Sequence, residues 1–169
     1  DRPHRSRVDD EDPIAVAVAL ARGAFEYQGQ KCSAASRAYI PTSLWPTIKK
    51  RLTADLVNMK MGSPENFENF INAVIDEKAF DKITSYISRA KKDKGVKIVA
   101  GGNFDKSKGF FIEPTVLQVT DPKYVTMCEE LFGPVLTIYV YADEDYKKVL
   151  TLLDTTSPYA LTGAVFATD

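Results

Sequence analysis

Apolar residues recur at steps of three and four through Ile14, Ala17, Val18, Ala21, Ala24 and Phe25, which predicts a helix from about Ile14 to Gln28 with a broad apolar face. A run of small residues follows, Gly29-Gln30-Lys31-Cys32-Ser33-Ala34-Ala35-Ser36-Arg37, and then a short strand, Ala38-Tyr39-Ile40. Pro41-Thr42-Ser43 opens the next helix, with Ser43 as its N-cap and Pro46 confined to the first turn. Leu44, Ile48, Leu52 and Leu56 give that helix its face, and Gly62 closes it. After a polar and aromatic loop at Asn66 to Asn72, a long helix from about Val74 to Lys92 is predicted to bury Ala79, Phe80, Ile83, Tyr86, Ile87 and Ala90. Its lysine-rich end complements the helix dipole.

Val96 to Ala100 reads as a strand and Gly101-Gly102 as a turn, while Phe110 to Ile112 and Thr115 to Val119 are strands interrupted at Pro114. The run Val135-Leu136-Thr137-Ile138-Tyr139-Val140 is β-branched and almost wholly apolar, the mark of a strand covered on both faces. Asp143 then caps a helix with Tyr146, Val149, Leu150 and Leu153 as its core stripe, and Gly163 to Ala167 reads as a last strand. Strands alternating with helices predict an α/β layered domain, a largely parallel open sheet flanked by helices. There is no internal repeat and no low-complexity segment.

Composition narrows the function without naming it. The 169 residues suffice for one domain with a substantial core, at 14–169, behind a charged tail at 1–13. A net charge of −1 gives no electrostatic reason to expect nucleic acid or an anionic membrane. Two cysteines far apart and a single histidine, His4, cannot supply a metal centre. Sparse cysteine fits an intracellular, reducing compartment. No apolar run reaches the length of a membrane span, no signal peptide opens the chain, and the absence of an initiator methionine points to a piece of something longer.

Two stretches could carry chemistry. Cys32 stands among glycine, serine and alanine between a helix and a strand, where a side chain can face a cleft; a thiol is a nucleophile only as thiolate. It could equally be a small buried hydrophobe. No histidine base is at hand, since His4 lies in the tail, but Lys31 and Arg37 are cations close in sequence. Neither a G-x-G-x-x-G nor a G-x-x-x-x-G-K-[ST] is present, so the chain holds no ready-made phosphate cradle. The second stretch is Cys128-Glu129-Glu130-Leu131-Phe132-Gly133-Pro134, at the start of the buried strand. Its acids are either solvated loop residues or acceptors for ligand hydroxyls, with Phe132 packing on a ring. Cys128 reads as structural, and Trp45, Phe110 and Phe111 as core.

Gly29 to Arg37 resembles the active-cysteine signature of the aldehyde dehydrogenase superfamily. Gly109-Phe110-Phe111-Ile112-Glu113-Pro114-Thr115-Val116 is similar to its GYFIEPTV stretch, and Glu129 to Val135 to its EEIFGPV motif. Leu161-Thr162-Gly163-Ala164-Val165-Phe166 resembles the segment where that family's chain passes back towards the cofactor domain. The matches fall in the family's order and cover about 14–169. Lys31 and Ser33 beside the cysteine, Phe25-Glu26-Tyr27-Gln28 before it and Ser43-Leu44-Trp45-Pro46 after it most resemble the pyrroline-5-carboxylate (glutamate semialdehyde) dehydrogenase branch.

The resemblance implies a catalytic-domain portion of an NAD-dependent enzyme oxidising glutamate γ-semialdehyde to glutamate in proline catabolism. Cys32 would attack the aldehyde carbon to give a thiohemiacetal, with its own backbone N–H as half of the oxyanion hole. Hydride would pass to NAD and water would hydrolyse the resulting thioester. Glu130 would hold the nicotinamide ribose hydroxyls, Phe132 would pack beside the nicotinamide, and Ser33 would bind the substrate carboxylate. The parent is expected to be a homo-oligomer, cytoplasmic if bacterial and in the mitochondrial matrix if eukaryotic. The cofactor domain, the asparagine of the oxyanion hole, the glutamate base and the oligomerisation strand are expected to lie outside these residues, so the piece alone should not turn over. Cys128 stands where the family usually has a basic or polar residue, and 1–13 fits the family poorly. Two alternatives stay open: a CoA-acylating or phosphorylating relative, or a non-catalytic interaction module.

Overall fold

The computed structural model describes residues 12–167. The tail expected at 1–13, with His4, lies outside them apart from its last two residues, and these begin the first helix. Asp12 caps helix α1 (Pro13–Phe25), its carboxylate accepting from the Ile14 N–H at 3.0 Å, with Pro13 in the first turn where its missing N–H costs nothing.

The centre is a four-stranded sheet in the order β1 (Arg37–Pro41), β6 (Val135–Tyr141), β5 (Thr115–Val119), β2 (Val96–Ala100). β6 pairs in parallel with both neighbours, and only β2 runs antiparallel, on β5. A separate two-stranded ribbon joins β3 (Phe104–Asp105) to β4 (Phe111–Ile112). The largely parallel α/β layering read from the sequence is therefore present.

Side chains alternate across the sheet, and this divides the core. Val116, Leu136 and Ile138 point to one face, where α1 and α2 (Trp45–Val57) cover them through Ala17, Leu20, Phe25, Ile48 and Leu52. Leu117 and Val135 point to the other face, beneath Phe80, Ile83 and Ile87 of α3 (Glu77–Ala90). Helices on both faces explain why the first four residues of β6 are all buried, including Thr137, whose hydroxyl is bonded to that of Thr126 at 2.8 Å. Trp45 is buried as expected, its ring N–H donating to Gln118 at 3.1 Å, whereas Phe110 and Phe111 are half-buried.

Several boundaries differ from the sequence reading. α1 stops at Phe25 instead of Gln28, because Tyr27 and Gln28 adopt left-handed backbone at φ 52° and 60°. Ser43 caps no helix; its N–H and hydroxyl both turn to the carboxylate of Asp143, and α2 begins after Leu44 with no side-chain cap. That helix ends at Val57, well before Gly62. α3 begins later than Val74, where the Asp76 carboxylate accepts from the Ala79 N–H at 2.7 Å.

The C-terminal expectations fare worst. A short helix α4 (Val125–Cys128) precedes β6, and α5 (Tyr146–Thr156) follows it, but Asp143 lies in a 3₁₀ turn ahead of α5. Of its expected core stripe only Val149 is buried, while Tyr146, Leu150 and Leu153 are nearly half exposed. Gly163 to Ala167 forms no strand and is exposed throughout. Periodicity marks a face that can be covered; it does not supply the cover.

Leu136 sits on the central strand with no exposed surface. Leu136→Ala is expected to lower unfolding free energy by about 2–5 kcal/mol in a denaturant titration, and a loss below about 1 kcal/mol would contradict this placement.

Candidate active site

The helix before Cys32 ends in an unusual turn. Tyr27, Gln28 and Gly29 are all left-handed, the last at φ 66°. For the two non-glycine residues this conformation costs roughly 1–2 kcal/mol each, so other contacts must hold it. Gln28 is buried, its side-chain oxygen accepting from the Asn72 N–H at 3.0 Å, and Gln30 does the same for the Ile75 N–H at 2.9 Å. The Ala35 N–H bonds to the Gly23 carbonyl at 2.9 Å, and the Ser36 carbonyl accepts from Thr137 at 3.0 Å, so the turn is anchored at both ends.

Gly29 has a second reason to be glycine. A Cβ placed there would meet the Gly133 carbonyl oxygen at 2.3 Å and the Ala24 oxygen at 2.8 Å. A Cβ on Gly133 would in turn meet Ile83 of α3 at 2.3 Å. Two glycines thus let the cysteine turn meet the 129–134 loop at backbone distance and let the Ile83 side chain of α3 press against that loop's backbone. Between the turn and the loop runs a cleft walled by Lys31, Ala34, Thr126, Glu130, Leu131 and Phe132. Cys32 and Ser33, flanked in sequence by Lys31 and Ala34, are both exposed but do not themselves line this cleft. The alternative of a thiol sealed in the core is thereby removed.

The loop opposite is held from α3. Lys82 donates to the Glu130 carbonyl at 2.9 Å, and one turn on the Tyr86 hydroxyl donates to the carboxylate of Glu129. That bond, together with burial, raises the Tyr86 pKa above its ordinary value. Phe132 is left-handed at φ 56° and 46% exposed, so its ring is turned outward. The Glu130 carboxylate makes no hydrogen bond or ion pair with any other described residue. Glu129 and Glu130 therefore differ: the first is tied down, the second has no partner among the described residues.

The cations near Cys32 are otherwise engaged. Arg37 donates to the Met127 carbonyl at 2.8 Å, and Lys31 pairs with Glu26 at 3.0 Å. Glu26 also holds Arg22 at 2.6 Å. The Lys31 hydrogen bond first, then that of Arg22, holds the Glu26 carboxyl below its ordinary range. Among the described residues no group of three or more His, Cys, Asp and Glu is placed to hold a metal, and no helix is long and apolar enough to cross a membrane. Cys128 is half-buried, its sulfur 3.4 Å from the Lys123 carbonyl.

The aldehyde dehydrogenase family model matches residues 8–169. This chain belongs to the aldehyde dehydrogenase family. Within that family it is 56% identical over 147 residues to the mitochondrial delta-1-pyrroline-5-carboxylate dehydrogenase of Dictyostelium discoideum, covering 87% of this chain and 26% of that protein. It is 50% identical over 167 residues to the Bos taurus enzyme of the same name, covering 98% and 29%. The crystal structure of the Mycobacterium tuberculosis delta-pyrroline-5-carboxylate dehydrogenase bound with NAD superposes with a TM-score of 0.84 at 45% identity, over 93% of this chain and 28% of that one. The chain thus spans between a quarter and a third of the length of these relatives.

Some of what builds this candidate site has no signal in the sequence motifs. Lys82 and Tyr86 sit on a helix read only for its apolar face, although their i,i+4 spacing put them on one side. Glu26 could have been found from the acid four residues after Arg22.

Gly29→Ala adds both left-handed strain and a clash with backbone, and is expected to lose about 2 kcal/mol or more. Gly163→Ala, where a Cβ meets nothing within 4 Å, is expected to stay within about 0.5 kcal/mol of the parent. Equal effects of the two in thermal unfolding would contradict the glycine contact.

Proposed function

We propose that this chain is the nucleophile-bearing part of an NAD-dependent dehydrogenase that oxidises glutamate γ-semialdehyde, formed from pyrroline-5-carboxylate, to glutamate. One observation carries the reading: an exposed cysteine on a turn packed, through Gly29 and Gly133, against a loop that offers a free carboxylate and an outward aromatic ring. The identity of about half to delta-1-pyrroline-5-carboxylate dehydrogenases supports the choice of substrate over a CoA-acylating or phosphorylating relative.

In this reading the Cys32 thiolate attacks the carbonyl carbon. An S–C bond forms, the carbonyl π pair moves to oxygen, and the Cys32 backbone N–H donates to that oxyanion. Ser33, the next residue and equally exposed, donates its hydroxyl to the substrate carboxylate. One end of a dinucleotide would be held here: Glu130, which has no partner among the described residues, would accept from the ribose hydroxyls, and the Phe132 ring would offer a flat apolar face to the nicotinamide. When bound, NAD supplies the hydride acceptor. Cys32 carries the oxidised acyl group as a thioester until water opens it. The pyrophosphate and adenine have no cradle among these residues, and neither does the base that activates water.

The Dictyostelium discoideum and Bos taurus relatives are mitochondrial proteins, and a mitochondrial matrix location is the matching proposal for a eukaryotic source. A homo-oligomeric parent is proposed with it.

Incubated with NAD and glutamate semialdehyde, the 169-residue chain is expected to give no sustained NADH, and continuous NADH formation would refute its proposed incompleteness. Iodoacetamide is expected to label Cys32 faster than Cys128, read by peptide mass mapping, and equal rates would count against an open nucleophile.

A further inference from the structure

Lys31 directly precedes the proposed nucleophile and lines the cleft beside it, and its ammonium is paired with Glu26. Its partner Glu26 sits on the far side of the left-handed turn. The 3.0 Å bond from Lys31 to Glu26 therefore spans Tyr27, Gln28 and Gly29 and draws the lysine back onto the end of α1. Glu26 is anchored there in turn, because Arg22 of α1 donates to its other oxygen at 2.7 Å. Both bridging side chains are about two-thirds buried, so the pair is not freely solvated, whereas Arg22 is mostly exposed.

We propose that Glu26 is a positioning residue for Cys32, which holds the Lys31 ammonium against α1 and so keeps its charge off the neighbouring thiolate. The inference rests on Cys32 being the nucleophile. A thiolate locked in an ion pair with an adjacent ammonium is a poorer attacking group, since nucleophilicity falls as the anion is stabilised. It would also draw the substrate's carboxylate towards the sulfur instead of towards Ser33. The left-handed turn is what makes the arrangement possible: it brings Glu26, the C-cap of α1, back alongside a residue five positions later.

The other charged groups around the cleft do not substitute for Glu26. Glu129, on the opposite wall, is bonded to Tyr86, and Glu130 makes no ion pair with Lys31 or any other described residue. Lys82 donates to the Glu130 carbonyl and Arg37 to the Met127 carbonyl. Lys31 thus has one anionic partner among the described residues, and that partner has two cations.

The test compares alkylation of Cys32 by anionic iodoacetate and neutral iodoacetamide in the intact 169-residue chain, with Cys128 as internal reference. Glu26→Gln is expected to raise the iodoacetate-to-iodoacetamide rate ratio at Cys32 about threefold at low salt, the effect of one unit charge several ångströms away in water. The rise should vanish near 1 M salt, where screening acts within about 3 Å. Adding Lys31→Met to that variant should return the ratio to the parent value, while Arg22→Gln alone should leave it unchanged. Simple loosening of the turn would speed both reagents alike and leave the ratio flat. A flat ratio in Glu26→Gln, or a rise that persists without Lys31, overturns the proposal.

If Glu26→Gln does not fold, judged by its far-UV circular dichroism, Lys31→Met alone decides. A withheld charge predicts no change in the parent ratio, and a fall of twofold or more shows that Lys31 already acts on the sulfur. Failure of the nucleophile reading looks different: Cys32 in the unmodified chain would then react no faster than Cys128 with either reagent.

Discussion

The backbone contact between Gly29 and Gly133 is the constraint on which the site depends. It joins two segments about a hundred residues apart in sequence, one ending α1 and one leading into the central strand. No side chain fits between them, since a Cβ on Gly29 would lie 2.3 Å from the Gly133 oxygen. The sheet makes the same junction from below: β1, which follows the cysteine turn, is paired in parallel with β6, which follows the loop. Two adjacent parallel strands thus bring a helix-to-strand turn and a loop together at their shared amino-terminal end.

Around that junction, precision is supplied by polar contacts. Gln28 and Gln30 pin the turn to the 72–75 segment, and Lys82 and Tyr86 pin the loop to α3. These bonds hold three non-glycine residues, Tyr27, Gln28 and Phe132, in left-handed backbone. Strain of this kind persists only where the surroundings over-determine it; of the three residues, Phe132 lines the cleft and the other two precede Gly29, which also lines it. Among the described residues the Cys32 thiol, the Ser33 hydroxyl, the Glu130 carboxylate and the Phe132 ring have no such anchor; the last two line the cleft, and the first two are exposed on the turn beside it.

The layered α/β core was legible from the sequence because burial follows period. The apolar run at 135–140 and the stripe Ile48, Leu52, Leu56 are legible without any partner. The exposed Cys32 was legible as a candidate only through its small-residue surroundings and family likeness, since spacing alone allowed a buried thiol. The left-handed turn after Phe25 was hidden: Tyr27 and Gln28 carry no local signal for φ > 0, and the contacts that hold them come from residues 72–75. Ser43 misled because a good capping residue found a better acceptor a hundred residues away in Asp143. Tyr146, Leu150 and Leu153 misled because their period is real but no described residue covers them.

The central claim is that the sulfur of Cys32 becomes the acyl carrier. Acid quenching of the full-length dehydrogenase during turnover of glutamate semialdehyde with NAD, followed by trypsin and mass spectrometry, tests it directly. Cleavage after Lys31 and Arg37 isolates Cys32 in a six-residue peptide, and Cys128 falls in a separate one. The account predicts the glutamyl mass increment on the Cys32 peptide alone. An increment on the Cys128 peptide, or on neither during steady turnover, would contradict it.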